Sequence, residues 1–518
     1  MNQRPELHVL EATEWDVLVI GGGITGAGVA RESARRGLKT LLLEQKDFAW
    51  GTSSRSSKMV HGGLRYIAAG DIRLTWHSLV ERERLLREAP GLVTRLGYWF
   101  AHYRKVFPGP LVFRMLLIIY DLLARVRDHS YRRAEAFLKV IPGYRSAALL
   151  GASRYTDAVV DDARLVLRVL EEACADGALV RNYSRVTDLV LKDGLVRGVQ
   201  VQDADQPGLT ATLKAKAVIN ATGAWADRLR EPLAGERRVR PLRGSHLVVS
   251  ATRLPAKEAV IFMHPDDGRA VFIYPWEGRT LIGTTDLDHR QDLDEEATLA
   301  ASELQYMLRA ANHEFPQAKL SESDIIATFS GVRPIVASGK SSDPSSEKRD
   351  HSVFLDHGLV TVTGGKLTTF RQIALDALKA AAPFLGVQIR DDGGAIFRPV
   401  AEDPAVPAVL RARYGLHASQ VATLLTQPEE AEQIPDLDHC WGELRWSVRQ
   451  EQVVHLDDLV LRRVRMGILL TRGGEVFWAR MARLCQQELG WSEVRVAEEL
   501  ERMKQIWQKH YSLPAESA

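Results

Sequence analysis

The feature that most constrains this chain is the segment WDVLVIGGGITGAG at residues 15–28, where an apolar, strand-like run leads into three spaced glycines. Gly21 permits a tight turn, Gly23 lets backbone amides approach a pyrophosphate, and Gly26 allows the following helix to pack against the strand. The amino end of that helix carries partial positive charge and faces the phosphates. The segment therefore predicts a βαβ unit that binds a dinucleotide.

Glu44 narrows the choice of dinucleotide. It closes the segment TLLLE, at the carboxyl end of the second predicted strand. A carboxylate there accepts both ribose hydroxyls of an adenosine and repels a 2′-phosphate. We therefore expect FAD or NAD rather than NADP.

The bulk composition is that of an ordinary globular protein large enough for two or three domains, with 518 residues of which 45% are hydrophobic and 26% are charged. The 68 lysines and arginines nearly balance 66 acidic residues, so no net field favours a nucleic-acid partner. The three cysteines, Cys174, Cys440 and Cys485, lack CxxC spacing, which excludes a local iron–sulfur or zinc motif and suits a reducing compartment.

Neither a secretory signal nor a spanning helix is predicted. Residues 1–14 contain three glutamates and no continuous apolar stretch. The most apolar later run, Leu111 to Leu123, contains Arg114 and Asp121 and is shorter than the roughly 20 residues that a spanning helix needs. We expect a cytoplasmic protein.

The remaining pattern alternates helices and strands. A Ser/Gly-rich loop covers 48–66, residues 72–127 are predicted to be helical, and 161–176 form an amphipathic helix. Asp157, Asp161 and Asp162 precede or begin that helix, where they more simply cap it than hold a metal, so no metal site is predicted. Several β-rich runs at 240–330 predict a separate substrate-binding sheet, and a Pro/Gly-rich linker at 390–407 leads into a helical segment.

Eight motifs, in this order, carry a family resemblance that extends from about Asp16 to about Leu378: GGGITGAGVA, TSSRSSKMVHGGLRY, YTDAVVDDARLVL, INATGAWAD, RGSHLVV, IGTTD, SGVRP and GGKLTTFR. The chain resembles FAD-dependent oxidoreductases of the glutathione-reductase/amino-acid-oxidase type, and among them the FAD-dependent glycerol-3-phosphate dehydrogenases. The resemblance implies an α/β fold with a discontinuous, Rossmann-like FAD-binding domain at 12–70, 160–235 and 350–388. It also implies an inserted, β-rich substrate-binding region at 71–159 and 236–349, and a helical C-terminal domain at 400–518.

The cofactor site is expected to combine the first glycine motif with two later turns. The turn at 364–366 lies between a strand and a helix, so its amides can face the flavin where negative charge develops on reduction. By resemblance, the loop at 52–63 lies along the flavin and the Val186 backbone meets the adenine. The predicted cofactor-binding residues are Gly21, Gly23, Gly26, Glu44, Thr52, Ser53, Ser57, Lys58, His61, Gly63, Val186, Ala221, Thr222, Gly223, Gly365, Lys366, Leu367 and Thr368.

A phosphorylated alcohol needs fixed cations. Arg65, Arg333 and Lys366 come from distant segments, guanidinium groups bind phosphate in a bidentate manner, and the resemblance places all three around the substrate. The Tyr66 phenol is a further candidate for a substrate hydrogen bond, with simple packing as its alternative.

His246 is the candidate base for the substrate hydroxyl, since an unperturbed imidazole titrates near neutrality. His61 is its competitor, although its position in MVHGG suggests contact with the flavin instead. Arg333 or Lys366 is the alternative catalytic group, stabilising a developing oxyanion.

The resemblance implies that a membrane quinone takes up the electrons at a peripheral enzyme on the inner face of the cytoplasmic membrane. Apolar residues mixed with basic ones between 99 and 127 suit an anionic bilayer interface. The apolar members are Trp99, Phe100, Phe107, Phe113 and Leu116 to Ile119, and the basic members are Arg104, Lys105, Arg114, Arg125 and Arg127. Arg462, Arg463 and Arg465 flank a second apolar run; core helices with basic faces are the alternative for both segments.

The predicted activity is FAD-dependent oxidation of sn-glycerol 3-phosphate to dihydroxyacetone phosphate, by hydride transfer to flavin N5. Three alternatives stay open: an oxidase that uses O₂, a flavoenzyme that oxidises amines or amino acids, and a flavin-binding regulatory protein without catalysis. The helical C-terminal domain makes a homodimer plausible.

Overall fold

The computed structural model describes residues 4–68, 70–337 and 350–514. The strands are β1 (Glu14–Ile20), β2 (Thr40–Leu43), β3 (Met59–Val60), β4 (Val93–Tyr103), β5 (Ser130–Arg133), β6 (Leu149–Val160), β7 (Leu179–Arg181), β8 (Ser184–Lys192), β9 (Leu195–Asp203), β10 (Thr210–Asn220), β11 (Val239–Ser250), β12 (Ala259–Met263), β13 (Ala270–Trp276), β14 (Arg279–Gly283), β15 (Leu287–Asp288), β16 (Ile325–Val336), β17 (His351–Asp356) and β18 (Leu359–Gly364).

The helices are α1 (Leu7–Glu11), α2 (Ile24–Ala34), α3 (Leu64–Ala68), α4 (Ile72–Glu88), α5 (Pro110–Ala124), α6 (Ala134–Val140), α7 (Asp162–Ala175), α8 (Ala226–Ala234), α9 (Ala301–Glu314), α10 (Phe370–Leu385), α11 (Ala408–Tyr414), α12 (Ala418–Leu424), α13 (Pro428–Ala431), α14 (Trp441–Gln450), α15 (Leu456–Asp458), α16 (Met466–Leu469), α17 (Glu475–Leu489) and α18 (Glu493–His510). Of the described residues, none belongs to a helix both long enough and apolar enough to cross a bilayer.

The first sheet is built on parallel strands in the order β18-β10-β1-β2-β7, with β17 beside β18 and the β8–β9 pair attached to β10. Val17, Leu18 and Val19 of β1 are fully buried, as expected for a parallel strand covered on both faces. Helices α2, α7 and α10 share one hydrophobic core with β1. The strands of this sheet come from three separate stretches of the chain, as expected for a discontinuous dinucleotide-binding fold. The parallel sheet with its covering helices confirms the predicted α/β class.

The second sheet contains β3 to β6 and β11 to β16, with β12 and β4 as parallel neighbours. The expected sheet at 240–330 is present, but the prediction of continuous helix at 72–127 is wrong. Residues 93–103, with the sequence VTRLGYWFAHY, form β4 between α4 and α5. Aromatic side chains such as Tyr98 and Trp99 favour strands and are buried here between helix layers.

The C-terminal helices pack against the second sheet, where Leu444 and Met481 share a core with Val248 and Tyr274. The proposed membrane role of Arg462, Arg463 and Arg465 is wrong, because all three guanidinium groups are buried in ion pairs with aspartates.

The capping role predicted for the aspartates of the YTDAVVDDARL segment is confirmed at Asp161. Its carboxylate accepts hydrogen bonds from the backbone amides of Ala163 and Arg164 at 3.1 and 3.3 Å. The two neighbouring carboxylates have other partners: Asp157 pairs with Arg82, and Asp162 accepts a hydrogen bond from Lys58.

Candidate active site

A cavity of about 1810 Å³ is lined by residues of both sheets. Pockets for single drug-sized ligands commonly measure about 300 to 1,000 Å³, so this one has room for a dinucleotide and a small substrate. Most of the predicted site residues line it: Gly21, Gly23, Glu44, Thr52, Ser53, Ser57, His61, Gly63, Tyr66, Val186, Ala221, Thr222, Gly223, Arg333, Gly365, Lys366, Leu367 and Thr368.

At one end of the cavity the chain leaves β1 and enters α2. Gly21 adopts a φ of +112°, which favours glycine, and a Cβ on Gly26 would lie 1.8 Å from the Gly21 carbonyl oxygen. Gly26 therefore does not line the cavity but lets α2 approach the strand. Gly23 is the residue before α2 and has no side chain that could cap the helix. The Ile24 amide donates instead to Ser53 Oγ at 2.9 Å. The end is a cradle of amides and a helix terminus that fits a pyrophosphate.

Glu44 lies beside this cradle. Its carboxylate accepts hydrogen bonds from the Gly22 amide at 2.6 Å and from the Lys46 amide at 2.9 Å. Burial raises the pKa of Glu44 above its ordinary value, opposed by these two amide bonds. A carboxylate fixed in this way, at the cavity wall, fits the ribose hydroxyls of FAD.

The turn after β18 faces the cavity from another side. Gly364 and Gly365 have φ angles of +83° and +78°, and the short helical turn Leu367–Thr369 follows before α10. The hydroxyl of Thr368 accepts a hydrogen bond from the His61 amide at 3.1 Å, which joins this turn to the loop around Gly63. Amides and a helix terminus converge here, as a reduced flavin requires.

Two of the three predicted substrate cations lie in the same cavity. Lys366 Nζ donates to Ser78 Oγ at 2.7 Å and stands 4.3 Å from the centre of the Tyr66 ring. Arg333 donates to Thr284 Oγ1 at 2.9 Å and to Asp286 Oδ1 at 3.1 Å. Arg65 belongs to α3, but its side chain lies outside the described residues.

Arg269 and Asp286 are cavity residues that sequence reasoning missed. Arg269 Nη1 donates to the Asp286 carbonyl at 2.9 Å, so the two arginines at 269 and 333 flank one aspartate. Asp286 ends the IGTTD motif, which was a usable signal. Arg269, a lone arginine in the turn before β13, offered no such signal, because most arginines are solvated surface residues.

His246 does not line the cavity, contrary to its predicted contact with substrate. The imidazole is buried, stacks on Phe329, and shares a hydrogen bond of 2.9 Å between its Nε2 and Ser57 Oγ. Ser57 does line the cavity and so separates the imidazole from it. Burial, with Arg333 and Lys58 nearby, lowers the pKa of His246 well below its ordinary value, which keeps the imidazole neutral.

Lys58 is not placed to bind a cofactor, and that prediction is wrong. The ammonium is fully buried and donates to Asp162 Oδ1 at 2.9 Å and to the Ser54 carbonyl at 3.1 Å. Burial and Arg465 lower its pKa to about 8. Its role is to fix the loop whose other side chains reach the cavity.

An apolar part of the cavity lining includes one side of α5, with Val112, Phe113 and Leu116. The other side of α5 is exposed: Leu111 retains 73% and Leu122 72% of its accessible surface, and Phe107 just before the helix retains 81%. Five basic residues of this region are exposed as well: Arg104, Lys105, Arg114, Arg125 and Arg127. Of the predicted membrane residues, Trp99, Phe113 and Leu117 are instead buried in the core.

Comparisons with known proteins agree with this geometry. The model of the FAD dependent oxidoreductase family matches residues 16–371, and that of the C-terminal domain of alpha-glycerophosphate oxidase matches residues 384–496. The chain is 34% identical over 517 residues to the glycerol-3-phosphate dehydrogenase of Mycobacterium leprae (strain TN), a match that covers 94% of this chain and 86% of that protein.

Two solved structures are also similar. Glycerol-3-phosphate dehydrogenase from Bacillus halodurans, complexed with FAD, superposes with a TM-score of 0.78 at 27% identity and covers 97% of this chain and 96% of its own. Dithionite-reduced L-alpha-glycerophosphate oxidase from Mycoplasma pneumoniae, with FAD bound, shares the fold with a TM-score of 0.57 at 19% identity, covering 76% of this chain and 100% of its own.

Proposed function

Because this chain belongs to the family of FAD-dependent glycerol-3-phosphate dehydrogenases, we propose that it oxidises sn-glycerol 3-phosphate to dihydroxyacetone phosphate and delivers the electrons to a membrane quinone. One observation carries the proposal. One cavity contains both the dinucleotide cradle, with Glu44 beside it, and the cationic side chains of Arg269, Arg333 and Lys366. An amine carries no anionic group for these cations, and the single negative charge of an amino-acid carboxylate would engage fewer of them than the doubly charged phosphate of glycerol 3-phosphate.

The side chains around the cavity have separate tasks in this proposal. Bound FAD supplies the acceptor for the hydride. Arg333 binds the substrate phosphate with its planar fork of N–H donors, and Asp286 fixes the orientation of that fork. Lys366 and Tyr66 face the substrate from the flavin side, where the lysine stabilises negative charge on the substrate oxygen. Arg65 completes the phosphate site by resemblance.

The hydroxyl proton leaves through Ser57 and not directly to the imidazole. Ser57 Oγ takes the proton from the substrate and passes its own to His246 Nε2, 2.9 Å away. A neutral imidazole is the form that accepts a proton, and the lowered pKa of His246 maintains that form.

Anaerobic titration of the purified protein with glycerol 3-phosphate tests the proposed substrate, read as loss of flavin absorbance. Bleaching by glycerol 3-phosphate at concentrations at which glycerol leaves the spectrum unchanged supports it. Equal bleaching by glycerol, or none by either compound, contradicts it. Peroxide produced in stoichiometric amounts under air would identify O₂ as the acceptor instead of quinone.

Arg333→Lys tests the phosphate contact. We expect KM for glycerol 3-phosphate to rise by roughly 10-fold to 100-fold with a smaller change in kcat, because an ammonium cannot reproduce the bidentate contact. Arg253→Lys, at a surface ion pair with Asp324, is the matched control. An unchanged KM in the Arg333 variant would remove this residue from the substrate site.

The exposed face of α5 and its basic neighbours support peripheral attachment to the inner face of the cytoplasmic membrane. Since the same helix contributes apolar side chains to the cavity lining, it would connect the bilayer surface to the cavity in which the quinone would meet the flavin. Self-association through the C-terminal helices stays a prediction.

A further inference from the structure

The loop between β2 and β3 forms one wall of the cofactor cavity, and a buried aspartate fixes its first half. Asp47 accepts hydrogen bonds from Arg463 at 2.8 and 2.9 Å and from Arg462 Nε at 2.5 Å. All three side chains are buried, and Asn182 adds a fourth hydrogen bond at 3.2 Å. Burial opposes ionisation of Asp47, but Arg463 and Arg462 outweigh it and hold the pKa below its ordinary value.

The second half of the loop is held by the same C-terminal region. Arg465 Nη2 donates to the Ser54 carbonyl at 2.6 Å, and the Arg55 guanidinium donates twice to the Tyr511 hydroxyl at 3.2 Å. Between these contacts the loop presents four residues to the cavity: Trp50, Gly51, Thr52 and Ser53. The loop that forms this wall is therefore held by four side chains of the C-terminal region that do not themselves line the cavity: Arg462, Arg463, Arg465 and Tyr511.

We propose that Arg462, Arg463 and Tyr511 of the C-terminal region are positioning residues for FAD, which hold the 44–58 loop through Asp47 and Arg55 in the shape that the cofactor binds. The inference rests on the FAD site and not on the proposed substrate or electron acceptor. A fork-shaped guanidinium paired with a carboxylate fixes orientation as well as distance, which a purely apolar contact at this place would not do.

The coupling must be reciprocal. If the arginines raise the affinity of the loop for FAD, then FAD must stabilise the contact between loop and arginines by the same free energy. Backbone amides of Leu459 to Arg463 should therefore exchange hydrogen more slowly in the holoprotein than in the FAD-free protein, although the cavity does not reach them.

Asp47→Asn tests the proposal, with Glu172→Gln as the matched control. Glu172 is an equally buried carboxylate that pairs with Arg398, another arginine beyond residue 390, but it lies away from the cavity. We expect the release of FAD on dilution, followed by flavin fluorescence, to be faster and the FAD dissociation constant to rise by about tenfold in the Asp47 variant. The control should keep the wild-type values even if its melting temperature falls.

Equal FAD dissociation constants in the Asp47 variant and the wild type would overturn the proposal, as would FAD leaving hydrogen exchange at Leu459 to Arg463 unchanged. Where the Asp47 variant does not fold, Tyr511→Phe removes one hydroxyl contact to Arg55 and should still weaken FAD binding severalfold. An unchanged FAD affinity in that variant would equally contradict it. Failure of glycerol 3-phosphate to bleach the flavin would leave these binding measurements interpretable.

Discussion

His351 is a charged residue beside the turn at 364–366, and the sequence pattern gave no reason to single it out. Its Nε2 lies 3.1 Å from Asp376 and its Nδ1 3.2 Å from Asp350. Burial opposes the charge, but the two carboxylates prevail and raise the pKa of His351 to about 9. The imidazolium therefore holds β17 against α10 next to Gly365.

The pH dependence of stability follows from this pKa. Because the folded-state pKa is raised, the stabilisation is complete below the ordinary value near 6.5 and disappears as the pH rises through about 9. His351→Gln should lower the free energy of unfolding by about 2 kcal/mol at pH 6 and by much less at pH 10. Urea denaturation at both pH values measures this. The exposed His357→Gln is the control, and an equal loss at both pH values would refute the assignment.

His246→Ala tests the proton acceptor. We expect flavin reduction by substrate to slow by about 100-fold while FAD stays bound, since a general base commonly contributes 10²-fold to 10⁴-fold. With the pKa of His246 lowered well below 6.5, the wild-type rate should not fall between pH 8 and pH 6. Stopped-flow reduction across this range is the measurement, and wild-type rates in the variant would exclude the role.

At single residues, sequence reasoning located segments better than side-chain directions. The TSSRSSKMVHGG motif predicted a loop along the cofactor, and this loop does line the cavity, yet Ser57 faces the cavity while Lys58 beside it is buried in the protein. His246, predicted to contact the substrate, lies behind Ser57 and does not line the cavity. Spacing within a motif indicates which loop approaches a ligand. The direction of each side chain depends on partners elsewhere in the sequence, as Asp162 is for Lys58.

Among the elements, α2 depends most strictly on its glycine. Gly26→Ala would place a methyl group 1.8 Å from the Gly21 carbonyl oxygen and force the helix away from β1. We expect a loss of about 1 to 3 kcal/mol in unfolding free energy, together with loss of bound FAD, because the phosphate cradle widens. Gly208→Ala, at a site with no atom within 4 Å of the new methyl group, is the control. Urea denaturation and flavin content measure both effects; normal flavin content in the Gly26 variant would contradict the expectation.

Strand–turn–helix units with glycines were predictable because their backbone requirements are local. The pattern of β1, α2 and β2 and the turn at 364–366 are of this kind. β4 was missed because its side chains are packed by helices on both sides, so that neither face shows polar alternation. The division of α5 into a cavity side and an exposed side depends on tertiary neighbours and cannot be read from the helix itself.

At the scale of the whole molecule, the exposed side of α5 predicts how the protein meets lipid. Wild type should float with vesicles that contain anionic phosphatidylglycerol at low salt, and less so at high salt, because screening weakens the basic residues. Replacing Leu111 and Leu122 together by serine should remove about 3 kcal/mol of the free energy gained by burying apolar side chains in the bilayer. The affinity of the protein for these vesicles should therefore fall about 100-fold.

Val476→Ser is the control for this pair, since Val476 is 79% exposed on another helix, α17. The measurement is the fraction of each protein that floats with the vesicles, compared between the double variant and the control. If wild type does not float at low salt, or if the control loses affinity as much as the double variant does, α5 is not the lipid-binding element.

The hydrogen bonds to Asp47 join residues 415 and 416 positions apart, which has a consequence for biosynthesis. At translation rates of roughly 5 to 20 residues per second, Arg462 leaves the ribosome about 20 to 80 seconds after Asp47. Strand β18 completes the nucleotide-binding sheet late, and between its emergence and that of Arg462 the sheet can be complete while the 44–58 loop still lacks its support. Tight FAD binding is therefore expected only after the C-terminal region has emerged.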